Sequence, residues 1–109
     1  WLQAFCAGVS RVLPSANSWD LSVILWALAV WEFLPHEQLM GRVMAIAGGA
    51  LPSAEPQHVA RTLWALTRLG WRPQPYWVSR VLQQTMVQAF EFDAQSYANT
   101  LWALARLNG

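Results

Sequence analysis

The string Leu25-Trp26-Ala27-Leu28 returns as Leu63-Trp64-Ala65-Leu66 and again as Leu101-Trp102-Ala103-Leu104. From 25 to 63 and from 63 to 101 the interval is 38 residues. Three copies of a string that contains Trp, at one fixed spacing, mark an internal repeat, and a period in this range belongs to stacked repeat architectures. The register holds on either side of the string. Pro14 matches Pro52, Pro35 matches Pro73, and Arg42-Val43 matches Arg80-Val81. Gln57 matches Gln95, Thr62 matches Thr100, and Arg68-Leu69 matches Arg106-Leu107.

Within a unit the apolar residues recur at helical spacing, as Leu21, Leu25 and Leu28 do and as Val59, Leu63, Leu66 and Leu69 do. This first helix is predicted to start after Asn17, Glu55 and Asp93, of which Asn and Asp are good N-cap residues, while Pro56 suits the first turn. It is predicted to stop before Pro35 and Pro73, with Gly70 and Asn108-Gly109 as C-terminal caps. Glu32 stands where the second unit has its glycine, so that end is expected to be less sharply capped. A second helix follows, with Leu39, Met40, Val43, Met44 and Ala47 as one stripe and Trp77, Val78, Val81, Leu82 and Thr85 as its copy. Trp1, Leu2, Phe5, Cys6 and Val9 carry the same stripe, so the chain is expected to open in the middle of a unit.

The spacing predicts second-type helices over 1–13, 36–50 and 74–90 and first-type helices over 18–33, 56–70 and 94–108. The expected fold is all-α, an α-solenoid of stacked antiparallel helix hairpins with about six helices. Its expected divisions are 1–18 (second helix of a truncated repeat), 19–56 and 57–94 (repeats), and 95–109 (first helix of a truncated repeat). On this view the chain is a slice of a longer array. The outer faces of its end helices, at Leu2, Phe5 and Val9 for the first, are then left without neighbours.

Composition agrees with such a slice. Hydrophobic residues make up 55% and charged residues 12% of the chain, against roughly 25% charged in an average globular domain. That excludes disorder. The longest apolar run, 21–34, is too short and too interrupted for a membrane span, which needs about 20 apolar residues. The formal net charge of +1 names no partner. All seven basic residues are Arg; Arg suits planar contacts with phosphates and bases, and a GC-rich genome gives the same bias. Cys6 is the single cysteine, which excludes an intrachain disulfide and a cysteine-based zinc site. It aligns with Met44 and Leu82 and is expected to be a buried, unreactive thiol.

The string 95–107, Gln-Ser-Tyr-Ala-Asn-Thr-Leu-Trp-Ala-Leu-Ala-Arg-Leu, resembles the octotricopeptide (OPR) repeat family. The 38-residue period and Pro73-Gln74-Pro75-Tyr76-Trp77, which is similar to that family's proline-rich Tyr-Trp motif, resemble it too. The resemblance covers essentially the whole chain and is weakest at Leu34-Pro35-His36-Glu37-Gln38-Leu39. Related Trp-Ala-Leu repeats occur in RAP-domain and FAST-kinase-like proteins. The resemblance implies single-stranded RNA as partner, about one nucleotide per hairpin, and a role in RNA processing, stability or translation in a chloroplast or mitochondrion.

Residues that discriminate bases should differ between units, so the invariant Trp26, Trp64 and Trp102 are expected to fill the seam between repeats. The stripe 20, 23, 27 and 30 instead varies in a polar way. It carries Asp20, Val23, Ala27 and Val30 in the first unit, and His58, Arg61, Ala65 and Arg68 in the second. In the third it carries Ser96, Asn99, Ala103 and Arg106. A small central Ala leaves room for a nucleotide, and the flanking groups can reach base edges or phosphates. Gln57 and Gln95 at the helix start are further candidates. A solvated helix face would present the same pattern.

His36 and His58 lie in different elements without metal spacing, and no catalytic set or phosphate-cradling loop is visible. No cofactor or enzymatic activity is expected of this segment. The functional expectation is sequence-selective binding of single-stranded RNA without a membrane partner; the alternative is a protein-binding α-solenoid scaffold.

Overall fold

The computed structural model of the protein describes residues 2–108 and the side chains of 3–107. The stripe positions of Trp1 and the Leu2 side chain, and the expected Asn108-Gly109 cap, lie outside this description. Six α-helices follow one another: α1 (Leu2–Val12), α2 (Ser18–Val30), α3 (Glu37–Ala50), α4 (Pro56–Leu69), α5 (Pro75–Val87) and α6 (Ala94–Asn108). Among the described residues there is no strand. The predicted helices are all present, but α2 and α5 each stop three residues sooner than the periodicity suggests.

A recurring device ends the second helix of each unit. α1, α3 and α5 run into 3-10 turns at Leu13–Ser15, Leu51–Ser53 and Ala89–Glu91. In the first two, Pro14 and Pro52 lack the N–H that an α-helix would need there, so the chain tightens and leaves. Each turn closes in the same way: Ala16 N–H donates to the Leu13 carbonyl at 3.1 Å, Ala54 N–H to Leu51 at 3.0 Å, and Phe92 N–H to Ala89 at 3.4 Å. Leu13 and Leu51 plug the core beneath. The third turn has Phe90 in place of proline, fully exposed.

Asn17 and Asp93 cap their helices as predicted, Glu55 precedes α4 without a side-chain cap bond, and α3 has a cap that was not predicted, His36. Asn17 forms a reciprocal capping box with Asp20: its Oδ1 accepts from the Asp20 N–H at 2.8 Å, and its own N–H donates to Asp20 Oδ2 at 3.1 Å. His36 caps α3, with Nδ1 accepting from the Leu39 N–H at 3.2 Å. Asp93 caps α6 by accepting from the Ser96 N–H at 2.7 Å. The Ser96 backbone bond, and then its side-chain bond, hold the Asp93 carboxyl below its usual range. A carboxylate whose pKa is lowered by folding stabilises the fold above its unfolded pKa. That contribution fades as pH falls through the lowered value.

The ends of α2 and α4 depart from expectation in an informative way. Gly70 takes the left-handed conformation, φ 75°, and Trp71 N–H reaches back to the Leu66 carbonyl at 3.1 Å. Glu32 takes the same conformation, φ 53°, and Phe33 N–H reaches the Leu28 carbonyl at 3.0 Å. The first unit is therefore capped as sharply as the second, with a non-glycine residue strained to do it. An L-residue in this region costs roughly 1–2 kcal/mol. Glu32 recovers little from its exposed ion pair with Arg68, 3.6 Å away. Glu32→Gly is expected to stabilise the protein by about 0.5–1 kcal/mol, read as a higher urea midpoint. An unchanged or lower midpoint would assign the Arg68 pair the larger share.

α4 lies flank to flank with α2 on one side and α6 on the other, while α3 and α5 each meet the 3-10 turn of the preceding unit. Small side chains allow the close approach: Ser22 and Ala29 on α2, Ala65 on α4 and Ala103 on α6 are buried. Leu21, Leu25, Leu28, Met40, Val43, Leu63, Leu66 and Val81 form the core between the two sets of helices. Phe5 and Val9 are not left bare as predicted. They join this core, Val9 buried and Phe5 packed edge-on against Trp31 at 5.3 Å. The unmatched apolar surface is at the other end, where Leu101 is 40% exposed although Leu25 and Leu63 are fully buried.

Candidate nucleic-acid interface

Two arcs of α4 are already committed. Val59, Leu63 and Leu66 face the core, and Ala65 faces α2. On the side away from the core remain Gln57, Arg61, Trp64 and Arg68, spaced by four, three and four along one stripe. The equivalent stripes are Trp19, Val23, Trp26 and Val30 on α2, and Gln95, Asn99, Trp102 and Arg106 on α6. Because α2, α4 and α6 lie side by side, the stripes adjoin and form one open face.

The three invariant tryptophans stand on that face. Trp26 is 46% exposed, Trp64 41% and Trp102 54%. The expectation that they fill the seam is overturned, and the reason is steric. Each indole sits one step, about 100°, around the helix from a core leucine, and the seam beyond is too close for a ring. The alanines expected at the open centre of the face take the seam instead. Ala65 and Ala103 are buried, and Ala27 is half-buried on the flank of α2 away from α4.

The predicted polar stripe accordingly divides. His58 is half-buried, with Nδ1 3.2 Å from Ser18 Oγ on α2. Ser96 is half-buried beside the Asp93 cap, and Asp20 is occupied in the Asn17 capping box. Those three serve seams and caps. Arg61, Arg68, Asn99 and Arg106 do reach the open face. Arg61 is half-buried and donates to Ser22 Oγ at 3.5 Å across the seam. Asn99 is exposed. The Arg106 guanidinium lies over the Trp102 ring, 5.1 Å from its centroid. Gln57 and Gln95 are exposed at the start of the stripe, Gln57 donating to Glu55 Oε2 at 2.8 Å. Val23 is half-buried, on the part of the face that carries no cation.

Between α4 and α6 the face deepens into an open groove of about 770 Å3, lined by Ala60, Arg61 and Trp64 on one wall and by Ala98, Asn99, Trp102 and Ala103 on the other. Three pairs of wall positions, 60 and 98, 61 and 99, and 64 and 102, are related by the 38-residue period. The groove combines two indoles, a guanidinium and a carboxamide, with Arg68 and Arg106 further along the same stripes. Such a surface can stack flat rings and neutralise anions; it holds no nucleophile or acid–base pair. Cys6 is half-buried rather than buried and lies elsewhere, in a shallow hollow beside Phe33 and His36. Among the described residues no group of His, Cys, Asp and Glu is arranged to hold a metal, and no helix is long and apolar enough to cross a membrane.

The chain matches no family model, no curated protein and no solved structure.

Proposed function

We propose that this chain is part of a helical-repeat solenoid that binds single-stranded RNA along the open face of α2, α4 and α6. One observation carries the reading: that face joins exposed indoles to three guanidiniums, with a side chain at position 61 and its equivalents, Val23 and Asn99, that differs in every unit. Proteins that bind single strands combine aromatic platforms with a cationic track in this way. The positions at 57, 61 and 68 read Trp, Val, Val in the first unit, Gln, Arg, Arg in the second and Gln, Asn, Arg in the third, so the second and third units would differ in base preference through the middle position alone. The half-exposed Leu101 supports a further hairpin stacking on α6 as a neighbouring repeat. The OPR resemblance supports organelle RNA processing, stability or translation, in a chloroplast or mitochondrion, as the setting. The role is binding, not catalysis.

Three units offer few contacts against the estimated 4–15 kcal/mol cost of association, so binding by this piece alone is expected to be micromolar or weaker. The test is a titration of labelled single-stranded RNA at several salt concentrations, with wild type and with Arg61, Arg68 and Arg106 all changed to Gln. Three lost phosphate contacts, at roughly 0.7 each on a single strand, should flatten the log–log salt slope by about two. Equal affinity and equal slope would discard the reading. A protein-binding scaffold is the second reading, favoured by the α2 part of the face, where Trp19, Val23, Trp26 and Val30 carry no charge. It predicts no salt-dependent RNA binding.

A further inference from the structure

Taking the RNA reading of the previous subsection as its basis, we infer that Trp26, Trp64 and Trp102 form a ladder of stacking shelves. One nucleobase inserts beside each indole, and the groove between Trp64 and Trp102 is the best-formed slot.

The exposure of these three indoles is anomalous. A residue repeated without change at every unit is usually core, yet these three indoles are 41–54% exposed while the leucines beside them are buried. Packing in the chain does not require a ring there, because the seam is filled by Ser22, Ala29, Ala65 and Ala103. What the three positions share is the open face. Repetition at 38 residues sets the indoles one per helix along it, in line with the order of the units.

A groove that two indoles share is the kind of site that takes a flat ring. Stacked rings repeat at about 3.4 Å, so a base held between two indoles occupies about 7 Å. Helices packed through small residues generally lie at the near end of a roughly 8–10 Å range of axis separations, a distance of the same order. Trp64 and Trp102 do open onto a common groove. The Trp102 ring face already accepts a flat, delocalised group, the Arg106 guanidinium at 5.1 Å. Charge is complementary as well: Arg61 lines the groove, and Arg68 and Arg106 follow one turn further on, with Glu32 as the anion at the edge, held by Arg68. A strand threaded here meets rings for its bases and cations for its phosphates. Stacking is indifferent to base identity, so the ladder accounts for what is constant between units. Arg61 and Asn99, equivalent residues on opposite walls of the groove, account for what differs between these two units.

The experiment separates stacking from phosphate binding. The intact chain is titrated at low salt with labelled oligo(A) and with an abasic oligonucleotide of the same length, which keeps the phosphates and lacks the rings. Trp64 and Trp102 are changed singly to Leu, which keeps apolar bulk, and to Phe, which keeps an aromatic face; circular dichroism checks that each variant is folded. We expect oligo(A) to bind more tightly than the abasic strand. Each Trp→Leu change should weaken oligo(A) about tenfold, each Trp→Phe should restore most of it, and neither should alter abasic binding. Equal binding of the two strands by wild type, or folded Leu variants that bind oligo(A) like wild type, would overturn the ladder and leave RNA binding standing. Failure to bind either strand would overturn both.

Discussion

Ala65→Asp is expected to unfold most of the molecule, while Trp64→Ala, one residue away, should lower stability only modestly. Ala65 is fully buried where α4 meets α2. A carboxylate there must be desolvated, and it adds volume where the helices are closest. An uncompensated buried charge costs about 3–5 kcal/mol and overpacking a further 1–3 kcal/mol or so, which together approach the whole stability of a typical domain, about 5–15 kcal/mol. Trp64 keeps 41% of its surface in water. Truncating it removes only the part that leans on its neighbours, about 1–2 kcal/mol against the 3–5 of a fully buried aromatic. Urea unfolding of both variants measures the order directly. If Trp64→Ala proved the costlier change, the indole would belong to the seam and the open face would have to be redrawn.

Trp77→Ala should remove about 3–5 kcal/mol, as befits a buried aromatic. Its ring lies over Gly48 in α3, where a β-carbon would meet the indole at 3.5 Å, an ordinary contact. Its Nε1–H donates to the Met44 carbonyl at 3.2 Å. This one side chain therefore pins the start of α5 to α3. Trp77→Phe retains much of the packing and loses the hydrogen bond, whose net worth is about 0.5–1.5 kcal/mol. Its cost should be well under half that of the alanine change, measured by chemical denaturation. Equal costs for the two variants would mean that the hydrogen bond outweighs the packing.

Why was so much of this readable in advance, and where did it fail? Helix number and order followed from the 38-residue register, because Leu21, Leu25 and Leu28 can share a face only in a helix, and Asn17, Asp93 and Gly70 are residues whose backbone preferences end one. The early ends of α2 and α5 were not readable, since the apolar spacing runs on through Trp31 to Leu34 and through Ala89 to Phe90 while the backbone has already turned. Glu32 misled for a related reason: nothing in a glutamate announces a left-handed residue, and the equivalence to Gly70 was the better guide. The candidate site failed by about a sixth of a helical turn. Invariance marked Trp26, Trp64 and Trp102 as core, and small size marked Ala65 and Ala103 as open space, whereas close helix packing demands small residues and excludes large ones. The same wheel, read from the seam outward, would have placed 57, 61, 64 and 68 on the face. Arg68, Asn99 and Arg106 were found because they lie near the line that both stripes share.

Of the three helices that carry the face, α4 alone is covered along both flanks. Loss of order should then proceed by peeling, with α6 detaching before α4 and the Trp102 wall of the groove leaving with it. Native stability of this kind is graded along the molecule instead of uniform. A strand lodged across the α4–α6 groove would act as a splint, tying a helix covered on one flank to the one covered on both.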